Sequence, residues 1–207
     1  MLKKTHISFS SACGVNAFRR FIVLALFLFL CLPTQTTGIL SADLELGTSI
    51  LNRPTGIAID PTSDALFVVD AGNNRVLRFD NRASLTSASS PTMSFGQLTL
   101  LSILSNLGLG LPTAQSLSGP SSAHVDSKGT LWVTDTSNNR ILLYHNAATL
   151  SSSLLPLAAN GILGQDSFNL GLGNLGLTFP GPSSIENPYG LHLDGSTLWV
   201  TDAGNNR

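Results

Sequence analysis

His124 and His192 are the residues whose type and spacing first invite a chemical reading. They hold the same place in two matching segments, Pro120-Ser121-Ser122-Ala123-His124-Val125-Asp126 and Pro188-Tyr189-Gly190-Leu191-His192-Leu193-Asp194, where a third copy carries Ala58. Neutral imidazole is the commonest metal ligand, so two on one rung could hold a metal ion. No third ligand accompanies them in the sequence, and solvated or hydrogen-bonded side chains are the preferred reading. Other candidates are weaker. His145 follows a strand end and reads as a surface residue. Trp132 and Trp199 take matched positions, with Phe67 as their equivalent, and are expected to pack in the core. Gly108 and Gly110 resemble a phosphate loop only superficially, because no lysine and no helical pattern follow. Neither a Ser-His-Asp order nor a paired-carboxylate arrangement stands out, so no catalytic or cofactor-binding residue is assigned.

A second set is defined by recurrence. Asp70 and Arg75, Asp135 and Arg140, and Asp202 and Arg207 flank the steps Ala71-Gly72-Asn73-Asn74, Thr136-Ser137-Asn138-Asn139 and Ala203-Gly204-Asn205-Asn206. Asparagine and glycine tolerate the positive φ that a hairpin reversal requires. Each Asp and Arg is expected to pair across the mouth of one hairpin, as an exposed ion pair contributing about 0 to 1 kcal/mol. A feature present in every unit reads as architecture rather than catalysis.

The elements that position these residues emerge when the chain is laid against itself. Short apolar runs bounded by Asp, Gly and Asn predict strands over Gly56 to Asp60, Leu66 to Asp70 and Val76 to Phe79, and the pattern returns about 66 residues later and again after that. Met93-Ser94-Phe95-Gly96-Gln97 and Gly161-Ile162-Leu163-Gly164-Gln165 supply a fourth strand. Each unit is thus predicted to be a four-stranded antiparallel sheet, one blade of a propeller, followed by a Leu/Gly-rich connection. Asn106-Leu107-Gly108-Leu109 recurs as Asn174-Leu175-Gly176-Leu177, which argues for a loop laid on the propeller face rather than a linker. The predicted organisation is residues 54–119 and 120–187 as two blades with their connections, and 188–207 as a truncated third. The first strand of each blade would line a central channel, with His124 and His192 facing it.

Ahead of the repeats, Lys3, Lys4, Arg19 and Arg20 precede an apolar run from Phe21 to Leu32 that Pro33 ends. Twelve residues at about 1.5 Å each fall short of a bilayer core of about 30 Å. Residues 1–38 therefore read as a hydrophobic targeting helix, a signal peptide in preference to a signal anchor, and imply a secreted or membrane-anchored, extracellular protein. Both cysteines, Cys13 and Cys31, lie in it. A lipoprotein site at Cys31 is disfavoured by Leu30. In residues 39–53, Ala42 to Thr48 matches the fourth-strand pattern and suggests a strand that closes the ring on the last blade. A formal net charge of −1, with 11% charged residues and no basic block in the repeats, excludes a nucleic-acid footprint. Membrane contact is expected only through residues 21–32, if they are uncleaved.

The series Pro-x-Gly-h-h-h-Asp, h-h-Val-h-Asp and x-x-Asn-x-Arg-h, with h apolar, resembles the NHL repeat, and the Gly-Gln strand resembles its long-repeat branch. Ser122 in place of Gly56 and Gly190, and Thr136-Ser137 in place of Ala-Gly, are the departures. The resemblance implies an all-β, six-bladed β-propeller, of which this chain would supply about two and a half blades, with poor solubility expected for that arc alone. It implies a non-enzymatic extracellular or membrane-displayed scaffold that binds a protein or carbohydrate ligand through rim loops. The alternative is a secreted propeller lyase or hydrolase, since related propellers use channel His or carboxylates with zinc or calcium; His124 and His192 would then be its metal ligands.

Overall fold

The strands form where β-branched, aromatic and leucine side chains can pack on both faces of a sheet, and they stop where Asn, Asp and Gly turn the chain. In the computed structural model, which describes residues 46, 50–151 and 156–207, ten strands follow one another without an intervening α-helix among the described residues. Strands β1 (Pro54–Ile59), β2 (Leu66–Asp70), β3 (Arg75–Phe79) and β4 (Met93–Phe95) form one antiparallel sheet in sequential order. Strands β5 (Pro120–Val125), β6 (Leu131–Asp135), β7 (Arg140–Tyr144) and β8 (Gly161–Leu163) form a second sheet of the same order. Strands β9 (Pro188–Asp194) and β10 (Thr197–Asp202) pair as a two-stranded third. Each first strand starts at its proline, two residues earlier than the sequence pattern predicts, and carries a register shift just after it.

The sheets stack side by side, with β1 lying against β5 and β5 against β9. The main core is the interface between the first two sheets. Phe67 packs on Phe95 with ring centroids 5.9 Å apart, and Phe95 meets Tyr144 edge-on at 5.1 Å. Val125, Leu131, Val133 and Leu142 complete that layer from the second sheet. The far face of the first sheet, Leu66, Val68, Leu77 and Phe79, is covered by Leu46, Ile50 and Leu51. Coverage on both sides explains why every residue of β2, β3 and β4 is buried. Arg78 joins the two sheets directly, donating from Nη1 to the carbonyls of Ala147 at 2.8 Å and Leu150 at 3.0 Å.

The matched aromatic residues, all expected in the core, do not share one environment. Phe67 is buried in the interface, but Trp132 is half-buried and Trp199 is exposed. The indole of Trp132 instead donates to Asp126 Oδ2 at 3.1 Å, a bond that Phe67 has no group to make. The predicted targeting segment 1–38, with Cys13, Cys31 and residues 21–32, lies outside the described residues, and so does most of the stretch assigned to a ring-closing strand. Among the described residues no helix is long and apolar enough to cross a membrane.

Candidate functional site

Strand direction gives every sheet two different ends. At one end stand the reversals after β2, β6 and β10, each a 3-10 turn closed by an asparagine in the left-handed region, Asn74 (φ 53°), Asn139 (φ 52°) and Asn206 (φ 55°). The connections after β4 and β8 leave from the same end, because Phe95 pairs with Val76 and Leu163 with Ile141. At the other end stand the turns between the first and second strands.

The reversal end is held by a polar clamp that repeats. Asp135 Oδ2 accepts from Arg140 Nε at 2.7 Å and from Asn138 Nδ2 at 2.8 Å, and its Oδ1 accepts the Ser118 N–H at 2.7 Å. Arg140 donates its remaining hydrogens to the carbonyls of Phe168, Thr113 and Ser116 at 2.5, 2.9 and 3.0 Å. Asp70 likewise accepts from Arg75 Nε at 2.6 Å, Asn73 Nδ2 at 2.9 Å and the Asn52 N–H at 2.6 Å. Asp202 accepts from Arg207 Nε, Asn205 Nδ2 and the Glu186 N–H, each at 2.8 Å. The pairs expected to be exposed are in fact buried in the first two sheets. Only in the third is the guanidinium partly open, at 44%. The connecting loops fold over the pairs and supply the carbonyls, so the clamp ties each reversal to the segments before and after it. Burial pushes the Asp202 carboxyl up, but its donors from Asn205, Glu186 and Arg207 outweigh that and hold it below the ordinary range.

The opposite end is polar and irregular. A cavity of about 250 Å³ lies between the β1–β2 and β5–β6 turns, with Asp60, Thr62, Ser63, Ser127, Lys128 and Asn146 in its wall. A second, of about 330 Å³, lies between the β5–β6 and β9–β10 turns, with Asp126, Lys128, Trp132 and Ser196 in its wall. Lys128 borders both. Burial pushes the Asp126 carboxyl up, but the Thr130 N–H, the Trp132 indole and the Lys128 N–H bring it below the ordinary range.

His124 and His192 do come together, with ring centroids 5.3 Å apart and planes at 79°. Burial lowers the His124 pKa, the neighbouring His192 lowers it further, and Asp126 pulls it the other way. Among the described residues no group of three His, Cys, Asp or Glu side chains could hold a metal ion. The pair falls short of the three protein ligands a catalytic zinc site takes. His145 is exposed, with Nδ1 3.3 Å from Thr130 Oγ1. Sequence reasoning missed that Lys128 borders both cavities, that Asn106 bonds Asn138 Oδ1 and that Gln97 donates to the Asn74 carbonyl. The signal for Asn106 and Gln97 was present, since both recur as Asn174 and Gln165; Lys128 has no counterpart in the other turns.

Equivalent antiparallel sheets stacked through their first strands define a β-propeller built from four-stranded blades. Within that class, residues 51–79 match the NHL repeat, so the sequence resemblance holds for the first blade. A search of curated proteins finds no match. Among solved structures, the chain is similar to a luciferin-regenerating enzyme at 17% identity and a TM-score of 0.44, covering 76% of this chain and 39% of that one. It is similar to virginiamycin B lyase from Staphylococcus aureus at 17% identity and a TM-score of 0.38, covering 72% of this chain and 34% of that one. It is also similar to the hydrazine synthase of Kuenenia stuttgartiensis at 12% identity and a TM-score of 0.39, covering 77% of this chain and 36% of that one. The chain spans between 34% and 39% of the length of these three.

Proposed function

We propose that this chain is part of a non-enzymatic NHL-repeat scaffold, about two and a half blades of a six-bladed ring, displayed outside the cell in secreted or membrane-anchored form. It binds a carbohydrate or protein ligand on the rim formed by the first turns of its blades. The observation that carries this reading is the contrast between the two ends. The clamp residues are the same in all three blades, whereas the rim turns Pro61-Thr62-Ser63-Asp64, Ser127-Lys128-Gly129 and Gly195-Ser196 differ in length and chemistry. A scaffold that holds one end constant and varies the other concentrates recognition on the variable end. The rim cavities combine hydroxyl, amide, carboxylate and ammonium groups with the Trp132 indole, Leu193 and Leu198, a mixture that suits the hydroxyls and the apolar face of a sugar ring.

The test is a glycan array run alongside a display library of extracellular proteins, probed with the wild-type protein and with Lys128→Ala and Thr62→Ala. The scaffold reading expects a defined ligand group whose binding falls about tenfold in Lys128→Ala, the loss of one charged hydrogen bond. Binding that survives both substitutions unchanged, or substrate turnover that requires His124 and His192, would overturn it.

A further inference from the structure

The connections display apolar side chains to solvent in the same places in both repeats. Leu104, Leu109 and Leu111 are 61%, 64% and 66% exposed, and their counterparts Leu172, Leu177 and Phe179 are 59%, 61% and 79% exposed. The match is not a fraying effect. The connection after β4 runs beside the second blade and the connection after β8 beside the third, and neither neighbour covers these side chains.

The display is held rigidly. Asn106 and Leu107 take φ of 48° and 56°, and Asn174 and Leu175 take 52° and 58°. Leucine in this left-handed region carries a backbone cost, so the surroundings must impose it. They do so through a reciprocal amide pair. Asn106 and Asn138 exchange hydrogen bonds of 3.0 and 2.8 Å, and Asn174 and Asn205 exchange bonds of 2.9 and 2.8 Å. The loop is thus clamped to the reversal of the next blade while its leucines point away from the core.

We propose that this end of the propeller inserts its connection tips shallowly into a neutral lipid bilayer. Three features select a bilayer over a protein. Protein hot spots favour Trp, Tyr and Arg and under-use Leu, whereas these tips carry leucine and one phenylalanine. No Asp, Glu, Lys or Arg occurs from Ala83 to Val125 or from Ser167 to Ile185, so the tips themselves carry no charge to steer a partner or to seek anionic lipid, and the charged groups at this end, Asp166, Glu186 and Arg207, lie outside them. The same apolar set is repeated blade by blade at one end of the sheets, which fits a laterally uniform surface better than a shaped one. Insertion strength then follows the apolar area buried. The polar rim, at the opposite end of every sheet, would face away from the membrane. The proposal does not depend on what that rim binds.

The experiment places one tryptophan at a time in the full chain, as Leu109→Trp, Leu177→Trp and, on the opposite rim, Lys128→Trp. Emission is recorded with phosphatidylcholine vesicles whose acyl chains carry bromine, against the wild-type background of Trp132 and Trp199. Added emission from positions 109 and 177 is expected to shift to shorter wavelength and to lose at least about half its intensity to the brominated chains, while that from position 128 is unchanged. Replacing part of the lipid with phosphatidylserine is expected to leave the quenching the same. No added quenching at the tips overturns the proposal even if vesicles pellet with the protein, because residues 21–32 would then account for attachment. A wavelength shift without vesicles, together with a larger mass in solution, would overturn it in favour of self-association.

Discussion

Arg140 shows what a single residue contributes to this architecture. Its guanidinium is fully buried and satisfied by one carboxylate oxygen and three carbonyls. Truncation leaves the Asp135 carboxylate uncompensated in the interior, so Arg140→Ala is expected to cost about 3 to 5 kcal/mol in chemical denaturation. Arg207→Ala, whose guanidinium is partly open to water, is expected to cost less than about 1 kcal/mol. Equal losses at the two sites would show that burial is not what distinguishes them. The Asp and Arg positions were legible from recurrence, but their burial was not, because the covering carbonyls lie 24 to 28 residues away in loops without strand patterning. The position of Ser137 differs in its surroundings from the glycines that match it. A Cβ on Gly72 would come within 2.6 Å of Asn52, and one on Gly204 within 2.5 Å of Glu186, whereas Ser137 faces the smaller Ser118 through a 3.1 Å backbone bond.

At the scale of elements, the Gly-Gln step after the fourth strand shows why a motif recurs. Gly96 and Gly164 have φ of 87° and 86°, and a Cβ there would lie 2.6 Å from Leu117 or 2.9 Å from Ile185. The glutamines then donate across the loop, Gln97 to the Asn74 and Leu104 carbonyls at 3.0 and 2.9 Å, and Gln165 to those of Asn139 and Leu172 at 2.9 and 2.8 Å. Gly164→Ala should therefore lower stability by about 1 to 3 kcal/mol through backbone strain and the clash together. A melting temperature unchanged from wild type would contradict that. The strands were readable because short apolar runs and turn signals mark them locally. The order within the connections was readable in part, from the recurring Asn-Leu-Gly-Leu, but the amide pair from Asn106 to Asn138 spans 32 residues and leaves no local pattern.

For the whole molecule, the blades meet along their first strands, and the histidine pair sits at one of those seams. Thr136 Oγ1 donates to the Pro188 carbonyl at 2.7 Å, and Ser121 Oγ to that of Tyr189 at 2.6 Å. His124 titrates beside His192 between the same two strands. Because its folded pKa lies below the ordinary imidazole value of about 6.5, the unfolded chain takes up the proton first as pH falls. Stability contributed at this seam is therefore complete above that value, falls as pH drops through it, and levels off below the folded pKa. Observed by NMR, the His124 ring should titrate below the ordinary value, and His192→Ala should move it upward by removing a like charge. The seam itself was visible in the sequence as two histidines at matched positions, though only the structure brings the rings to 5.3 Å.

The equivalence of successive repeats underlies every one of these conclusions, and the Arg side chains report it directly. Hydrogen exchange at the arginine Nε–H groups, followed by NMR and assigned with Arg75→Lys, Arg140→Lys and Arg207→Lys, measures whether each unit builds the same clamp. The clamp requires slow exchange at both Arg75 and Arg140, lost at each when its own aspartate, Asp70 or Asp135, is changed to asparagine, with faster exchange at Arg207. Exchange at Arg75 and Arg140 as fast as in a free peptide would mean that the repeats do not close as blades.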